Sequence, residues 1–303
     1  MQKKQIVKFI YFLYSKNTMV LELLVNPQKV SGKPWEMFFI GAVYSFVAAF
    51  LSLWIFQNYV SIVMITLTIV AAIPFIQSVM SQEEDKDRSI KQERRLLKEH
   101  SKAIQAFVYL FLGFTFSFTM LYLFMPSATV ERLFSAQLET IITVQSSSTT
   151  GSFISATGDY ISSSAAFVSI FMNNIKILIF CLMFSFFYGA GVIFILAWNA
   201  SVMATAIGSF IRNNLFYAKG FFDYFQVTLT GMLQYLLHGI PEIAAYFIGA
   251  LASGMVSFAL IKHDYMADNF KSVLKDVCIL IGAAIGILFV AALIEVFITP
   301  LIV

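Results

Sequence analysis

The sequence predicts an all-α fold, a polytopic helical membrane protein with about seven transmembrane helices. Of its 303 residues, 59% are hydrophobic and 12% are charged, whereas soluble domains average roughly 45–50% apolar and about 25% charged residues. The mean hydropathy is +0.81. Apolar runs long enough to cross a hydrocarbon core, about 20 residues each, recur along the chain. This composition excludes a disordered chain, a disulfide-rich secreted domain and an ordinary soluble enzyme.

The first two candidate spans, 38–56 and 59–79, form a predicted helical hairpin because only Gln57 and Asn58 separate them. The other five candidates are 104–125, 167–189, 191–211, 225–261 and 277–299. The chain therefore divides into an N-terminal part, 1–103, which holds a cytoplasmic segment, the hairpin 38–79 and a charged loop, and a five-helix domain, 104–303.

Two sites interrupt these apolar runs. Gly189-Ala190-Gly191 predicts a break between two antiparallel helices. The run 225–261 is longer than one perpendicular span needs and contains His238-Gly239-Ile240-Pro241. Pro241 lacks a backbone donor and crowds the carbonyl of Leu237. We therefore expect a broken or kinked helix, with the helix break at Gly239 and Pro241.

The distribution of basic residues predicts the orientation of the chain. Of the 20 lysine and arginine residues, 16 lie in the segments 1–37, 80–103 and 262–276, and the alternate loops hold only Arg132, Arg212 and Lys219. Lysine and arginine accumulate on the cytoplasmic side. The protein is therefore expected in the cell membrane with a cytoplasmic N-terminus, an external loop 126–166 and an external C-terminus.

Polar side chains within the apolar runs indicate an intramembrane polar site, because such groups are costly in hydrocarbon. The candidate residues are Asn173, Asn174, Lys176, Asn199, Gln234, His238, Glu242 and Glu295. Gln234, His238, Glu242 and Tyr246 are spaced by four and would share one face of a continuous helix. We predict that Glu242 hydrogen-bonds to at least one of His238, Asn173, Asn174, Lys176 and Asn199.

Three interpretations of His238 and Glu242 remain open: a buried pair that fixes helix packing, a proton- or ion-coupled site, and a metal site. The pair alone supplies too few ligands for a zinc site. A separate set of small residues predicts close packing between helices. This helix-packing set comprises Ala245, Gly249, Ser253, Ser257, Gly282 and Gly286.

The sequence contains no G-x-S-x-G elbow, P-loop, dinucleotide fingerprint or CxxC motif. We therefore expect no enzymatic activity, no catalytic residue, no cofactor and no bound metal. The expected partners are the lipid bilayer and either another membrane protein or a second copy of the chain, with no nucleic acid.

Residues 167–299 resemble the stage II sporulation protein M family of integral membrane proteins. The resemblance rests on Asn173-Asn174, Gly189-Ala190-Gly191, Asn199, His238-Gly239-Ile240-Pro241-Glu242, Gly249, Gly254, Ala292-Leu293-Ile294-Glu295 and Thr299-Pro300. Two positions depart from the family pattern: Leu237 stands where the family usually has proline, and Ala200 where it usually has glycine.

The resemblance implies a common five-helix unit, to which the hairpin 38–79 is an addition. It also implies a membrane scaffold, since the member in spore-forming bacteria is associated with a peptidoglycan-remodelling complex, although most members have no established activity. The preferred function is a non-enzymatic scaffold or accessory subunit of a membrane complex. A transporter or channel subunit is the alternative, and an intramembrane hydrolase is a third class.

Overall fold

A computed structural model describes residues 33–87, 96–149, 160–186, 190–261 and 268–301 of the chain. These residues form α-helices and helical turns, with no strand among them. The helices are α1 Glu36–Ile55, α2 Val60–Asp87, α3 Leu96–Phe124, α4 Ser127–Leu133, α5 Ser135–Thr149, α6 Tyr160–Phe186, α7 Ala190–Leu215, α8 Phe221–Ile261 and α9 Asp268–Leu293, followed by a π-helical turn Ile294–Ile298 and a 3-10 turn Thr299–Leu301.

Six of these helices are long and apolar enough to cross a membrane, and the apolar stretch Val60–Pro74 of α2 is shorter. The predicted all-α polytopic membrane fold is confirmed. Three of the spans form the centre of the bundle: the spanning parts of α3, α7 and α8 are 61%, 56% and 61% buried. Around them, α1 packs along α3, α9 along α8, and α6 against α8 and α7.

Glycines bring α1 and α3 into close backbone contact. A Cβ atom added to Gly113 would collide with the carbonyl of Phe38 and would lie 2.9 Å from the amide nitrogen of Ala42. A Cβ on Gly41 would lie 2.7 Å from the carbonyl oxygen of Leu110. Small residues permit this approach, which strengthens van der Waals packing between helices in lipid.

Several hydroxyl groups in the bundle interior are satisfied within their own helix. Ser45 donates to the carbonyl of Gly41 over 2.8 Å, and Thr68 and Thr205 donate to the carbonyls of Met64 and Ser201 over the same distance. Each bond lies within one helix, so these side chains need no partner from a neighbouring helix. They explain how polar residues are accommodated in apolar spans.

The segment predicted as an external loop, 126–166, contains two helices and the start of α6. These two helices, α4 and α5, occupy Ser127–Leu133 and Ser135–Thr149. Val130, Leu133 and Phe134 are buried, and the Phe134 ring packs against Tyr122 with centroids 5.4 Å apart. These residues follow helical spacing, so the segment covers the bundle with an apolar face instead of lying free in solvent.

Two arginines donate hydrogen bonds to backbone carbonyls at one end of the bundle. Arg212, near the end of α7, donates to the carbonyls of Tyr122 and Met125 at the end of α3, both over 3.3 Å. Arg132 of α4 donates to the carbonyl of Gln57, over 3.5 Å, in the predicted hairpin turn between α1 and α2. A cation suits the carbonyl end of a helix. The ends of α1, α3 and α7 therefore lie on the same side.

Helix α8 is not broken at Gly239 and Pro241, and the kink predicted as the alternative stays a prediction. Helix α8 continues from Phe221 to Ile261 with Pro241 inside it. A proline removes one backbone hydrogen bond, but the residues after it, Ile243 and Ala245, are buried against the neighbouring helices. Packing on both sides of the proline holds the helix together.

Several predictions fall outside the described residues. These comprise most of the predicted N-terminal cytoplasmic segment, part of the charged loop 80–103, and Gly189 of the Gly189-Ala190-Gly191 break. The helices on either side of that break, α6 and α7, are separate elements.

Candidate intramembrane polar site

Three side chains form a hydrogen-bonded chain between α6 and α8. The amide nitrogen Nδ2 of Asn174 donates to Oε1 of Glu242, and the Tyr246 hydroxyl donates to Oδ1 of Asn174 over 3.0 Å. Asn174 is 4% exposed and Tyr246 is 3% exposed. The contact predicted for Glu242 is therefore present, and its partner is Asn174. Tyr246, which the sequence placed on the same face, completes the chain.

Glu295 brings a second carboxyl group to this site from the π-helical turn. Its side chain is partly exposed, like that of Glu242. The turn packs against α6 and α8, and the Thr299 hydroxyl donates to the carbonyl of Ile294 over 3.2 Å. A single π turn at the end of a helix often marks a functional position.

Three of the candidate residues lie elsewhere. Asn173 and Lys176 are exposed on α6, because residues one position before and two positions after Asn174 point in other directions around a helix. Asn199 donates to the carbonyl of Ile195, 2.8 Å away in its own helix. These side chains belong to no common site with Glu242 in the described part of the chain.

Gln234 and His238 lie on α8 about two turns and one turn before Glu242, respectively. Oε1 of Gln234 and Nδ1 of His238 are buried and have no hydrogen-bond partner. A buried polar atom without a partner costs roughly 1–3 kcal/mol. The face of α8 that leads to Glu242 therefore contains two polar atoms whose hydrogen-bonding capacity is unused.

Small residues on α8 pack against α6 in a repeating register. Ala245 is fully buried, and a Cβ on Gly249 would collide with Cδ1 of Leu178. The Ser253 hydroxyl donates to the carbonyl of Leu182. Contacts thus recur every four residues on both helices, from Asn174 through Leu178 to Leu182. This register requires α6 and α8 to run in the same direction.

The packing predicted for Gly282, Gly286 and Ser257 is not found in the described structure. A Cβ on Gly282 or on Gly286 would meet no atom within 4 Å, so the packing predicted for these two glycines is wrong for the described helices of this chain. They lie on the outer side of α9, where both residues are exposed. Ser257 lies within α8, but its side chain is outside the described set.

A second buried network was not predicted, because its central residue seemed to belong to a polar loop. The Ser61 hydroxyl donates to Oε1 of Gln137 over 2.6 Å, and Nε2 of Gln137 donates to the Ser201 hydroxyl over 3.1 Å. Gln137 is fully buried, and its network joins α2, α5 and α7. The apolar residues Val130, Leu133 and Phe134 precede it at helical spacing, which is the signal that indicates burial.

The site supplies acceptor oxygens and one amide donor, a set that can hold a proton or a cation. In the part of the chain that the structure describes, no three His, Cys, Asp or Glu side chains are grouped as metal ligands. Holding either a proton or a cation would require α6 and α8 to stay in register.

Comparison with known families identifies the chain's relatives. The family model described as stage II sporulation protein M matches residues 106–300, which is more than half of the chain and begins after the hairpin of α1 and α2. Comparisons with curated proteins and with solved structures found no match.

Proposed function

This chain belongs to the stage II sporulation protein M family, and on that basis we propose that it is a non-enzymatic scaffold or accessory subunit of a membrane complex. The supporting observation is that polar groups in the bundle interior join helices to one another. Asn174 connects α6 to α8, and Gln137 connects α2, α5 and α7. Such contacts define a rigid framework, as a scaffold requires.

The outer surface of the bundle also suits an accessory subunit. Only 17% of the spanning part of α6 and 33% of that of α9 is buried within the chain. These two neighbouring helices therefore present most of their surface outward. The proposal places the protein in the cell membrane with a cytoplasmic N-terminus and an external C-terminus.

Affinity purification in a mild detergent tests this role. A tagged chain should recover one or more membrane proteins in a fixed ratio, identified by mass spectrometry, while a tagged unrelated polytopic protein should not. Recovery of the chain alone from several detergents would contradict the scaffold proposal. Glu242→Leu, which removes the hydrogen bond between Asn174 and Glu242, should reduce partner recovery, and Ser135→Ala, at an exposed position of α5, should not.

A transporter or channel subunit is the second candidate, and the observation that favours it is the pair of interior carboxyl groups. Glu242 and Glu295 are both partly buried on elements that pack together, and neither is paired with a described lysine or arginine. Reconstituted liposomes loaded with a cation-sensitive dye distinguish the two roles. A transporter would give a flux that Glu242→Gln reduces, and a scaffold would give none.

A further inference from the structure

Three polar residues, Ser169, Asn173 and Lys176, form a polar stripe on the outer face of α6. All three are exposed. They recur at intervals of four and three residues, which places them within about 60° of one another around the helix axis. Asn174 and Leu178, on the opposite face, are buried. The polar stripe therefore points away from the rest of the bundle.

Lys176 lies deep within the spanning part of α6, Ser164–Phe184. At about 1.5 Å per residue, its Cα atom is about 18 Å from the level of Ser164 and about 12 Å from that of Phe184. Side chains of a helix lean toward its N-terminus, which here is the farther end of the span. The four-carbon stem of a lysine is too short to cover that distance. The ammonium group of Lys176 therefore stays at hydrocarbon depth.

No residue that the structure describes compensates the charge of Lys176. The side chains of Asn173 and Lys176 make no hydrogen bond or ion pair with a described residue, whereas the neighbouring Asn174 is bonded through both ends of its amide. Ionisable side chains within spans almost always pair with another group or face a water-filled cavity. Because the polar stripe is on the outside of the bundle, its missing partner comes from outside the described helices.

The polar stripe also indicates the chemistry of that partner. A carboxylate suits the ammonium group of Lys176, because opposite charges attract strongly where the dielectric constant is low. Serine and asparagine form hydrogen bonds across membrane helices, and serine is small enough to permit close approach. A second copy of the chain, placed stripe against stripe by a two-fold axis, would bring two Lys176 side chains together. Charge complementarity thus favours a different protein.

We propose that the polar stripe is the docking face for one transmembrane helix of another protein, which presents an aspartate or glutamate side chain to Lys176. Asn173 forms a hydrogen bond to the same helix and fixes its register. This inference rests on the proposed role as an accessory subunit and names the chemistry of the partner.

Site-specific photo-crosslinking in cells that express the full-length chain tests the proposal. A photoreactive phenylalanine analogue replaces Met172, which borders the polar stripe and is 49% exposed; the matched control carries the analogue at Phe46 on α1, which is 48% exposed. The probe at Met172 should give a product with another protein, and the crosslinked peptide should be a transmembrane segment that contains an aspartate or glutamate. The probe at Phe46 should not give this product.

Variants at Lys176 separate charge from contact. Lys176→Leu should abolish the crosslinked product, whereas Lys176→Arg keeps the charge and should retain it. Lys176→Glu should also abolish the product, and replacement of the acidic residue in the crosslinked segment by lysine should then restore it. Purified Lys176→Leu should unfold at the parental temperature in detergent, because Lys176 bonds to no described residue. A marked decrease would show that Lys176 is bound within its own chain and would overturn the proposal.

The other contrary outcomes are equally specific. A probe at Met172 that gives no protein product, or one that joins a second copy, another segment of this chain or a helix without a carboxyl side chain, would overturn the proposal. So would an undiminished product in Lys176→Leu. Affinity purification distinguishes this failure from failure of the accessory role. A partner recovered equally by the parent and by Lys176→Leu binds at another face, whereas recovery of the chain alone contradicts the accessory role itself.

Discussion

The Asn174 side chain lies in the bundle interior, where its amide nitrogen donates to Glu242 and its amide oxygen accepts from the Tyr246 hydroxyl. An amide in hydrocarbon is costly unless both of its ends are satisfied. The prediction that Glu242 hydrogen-bonds to a polar partner followed from the cost of placing a polar side chain in hydrocarbon. The sequence could not distinguish Asn174 from Asn173, because the lipid-facing and protein-facing sides of α6 are both apolar and no periodicity separates them.

Substitutions at Glu242 separate hydrogen bonding from charge. Glu242→Leu leaves the Asn174 donor unsatisfied, so we expect it to lower the free energy of unfolding by about 1–3 kcal/mol. Glu242→Gln keeps an acceptor oxygen in place and should retain the fold. Thermal unfolding in detergent measures both variants, and Asn173→Leu, on the exposed side of α6, is the control. Equal stability of the leucine and glutamine variants would show that the bond to Asn174 is unimportant.

At the scale of the helices, replacing a glycine by alanine should affect stability differently on α3 and on α9. Gly113→Ala places a methyl group against the backbone of α1 at Phe38 and Ala42, which cannot move as a flexible side chain can. We expect a loss of roughly 1–3 kcal/mol, the usual cost of overpacking. Gly282→Ala adds a methyl group in open space and should be neutral. Thermal unfolding of the two variants side by side tests this, and similar losses in both would refute the packing assignment.

One polar side chain, Gln137, joins the helix α5 to α2 and α7. Gln137→Leu removes the bonds to Ser61 and Ser201 and leaves the Ser61 hydroxyl without its acceptor. We expect a decrease of about 1–3 kcal/mol in the free energy of unfolding and faster proteolysis between α4 and α6. Ser135→Ala, at an exposed position of the same helix, is the control. Unchanged proteolysis in Gln137→Leu would mean that apolar contacts alone hold this helix.

Sequence reasoning identified the spans better than the segments between them. Hydrophobic length finds a membrane helix because the bilayer imposes it, and the hairpin turn at Gln57 and Asn58 lies between α1 and α2 as predicted. Gln137 was missed because α5 is polar in composition although one of its faces is buried. The break predicted as one of two alternatives at Pro241 is absent, because packing of the surrounding residues outweighs the loss of one backbone hydrogen bond.

At the scale of the whole molecule, the orientation in the membrane remains a prediction that labelling can test. In a cysteine-free background, cysteines replace Ser89, Ser147 and Asn58, and intact cells are treated with a membrane-impermeant maleimide. The bias of basic residues predicts that Ser147→Cys reacts and Ser89→Cys does not. Asn58→Cys should react like Ser147→Cys, because Arg132 ties its turn to α4. The opposite pattern would reverse the orientation of the entire chain.

The polar contact between α6 and α8 also has a consequence for biogenesis. The two helices are separated in the chain by α7, so α6 is synthesised and enters the bilayer before its partner exists. Membrane helices insert first and associate afterwards, and during that interval the Asn174 amide lacks its partners Glu242 and Tyr246. Assembly of this half of the bundle therefore waits for α8, and a chain truncated after α7 would present an unsatisfied amide to the membrane quality-control machinery.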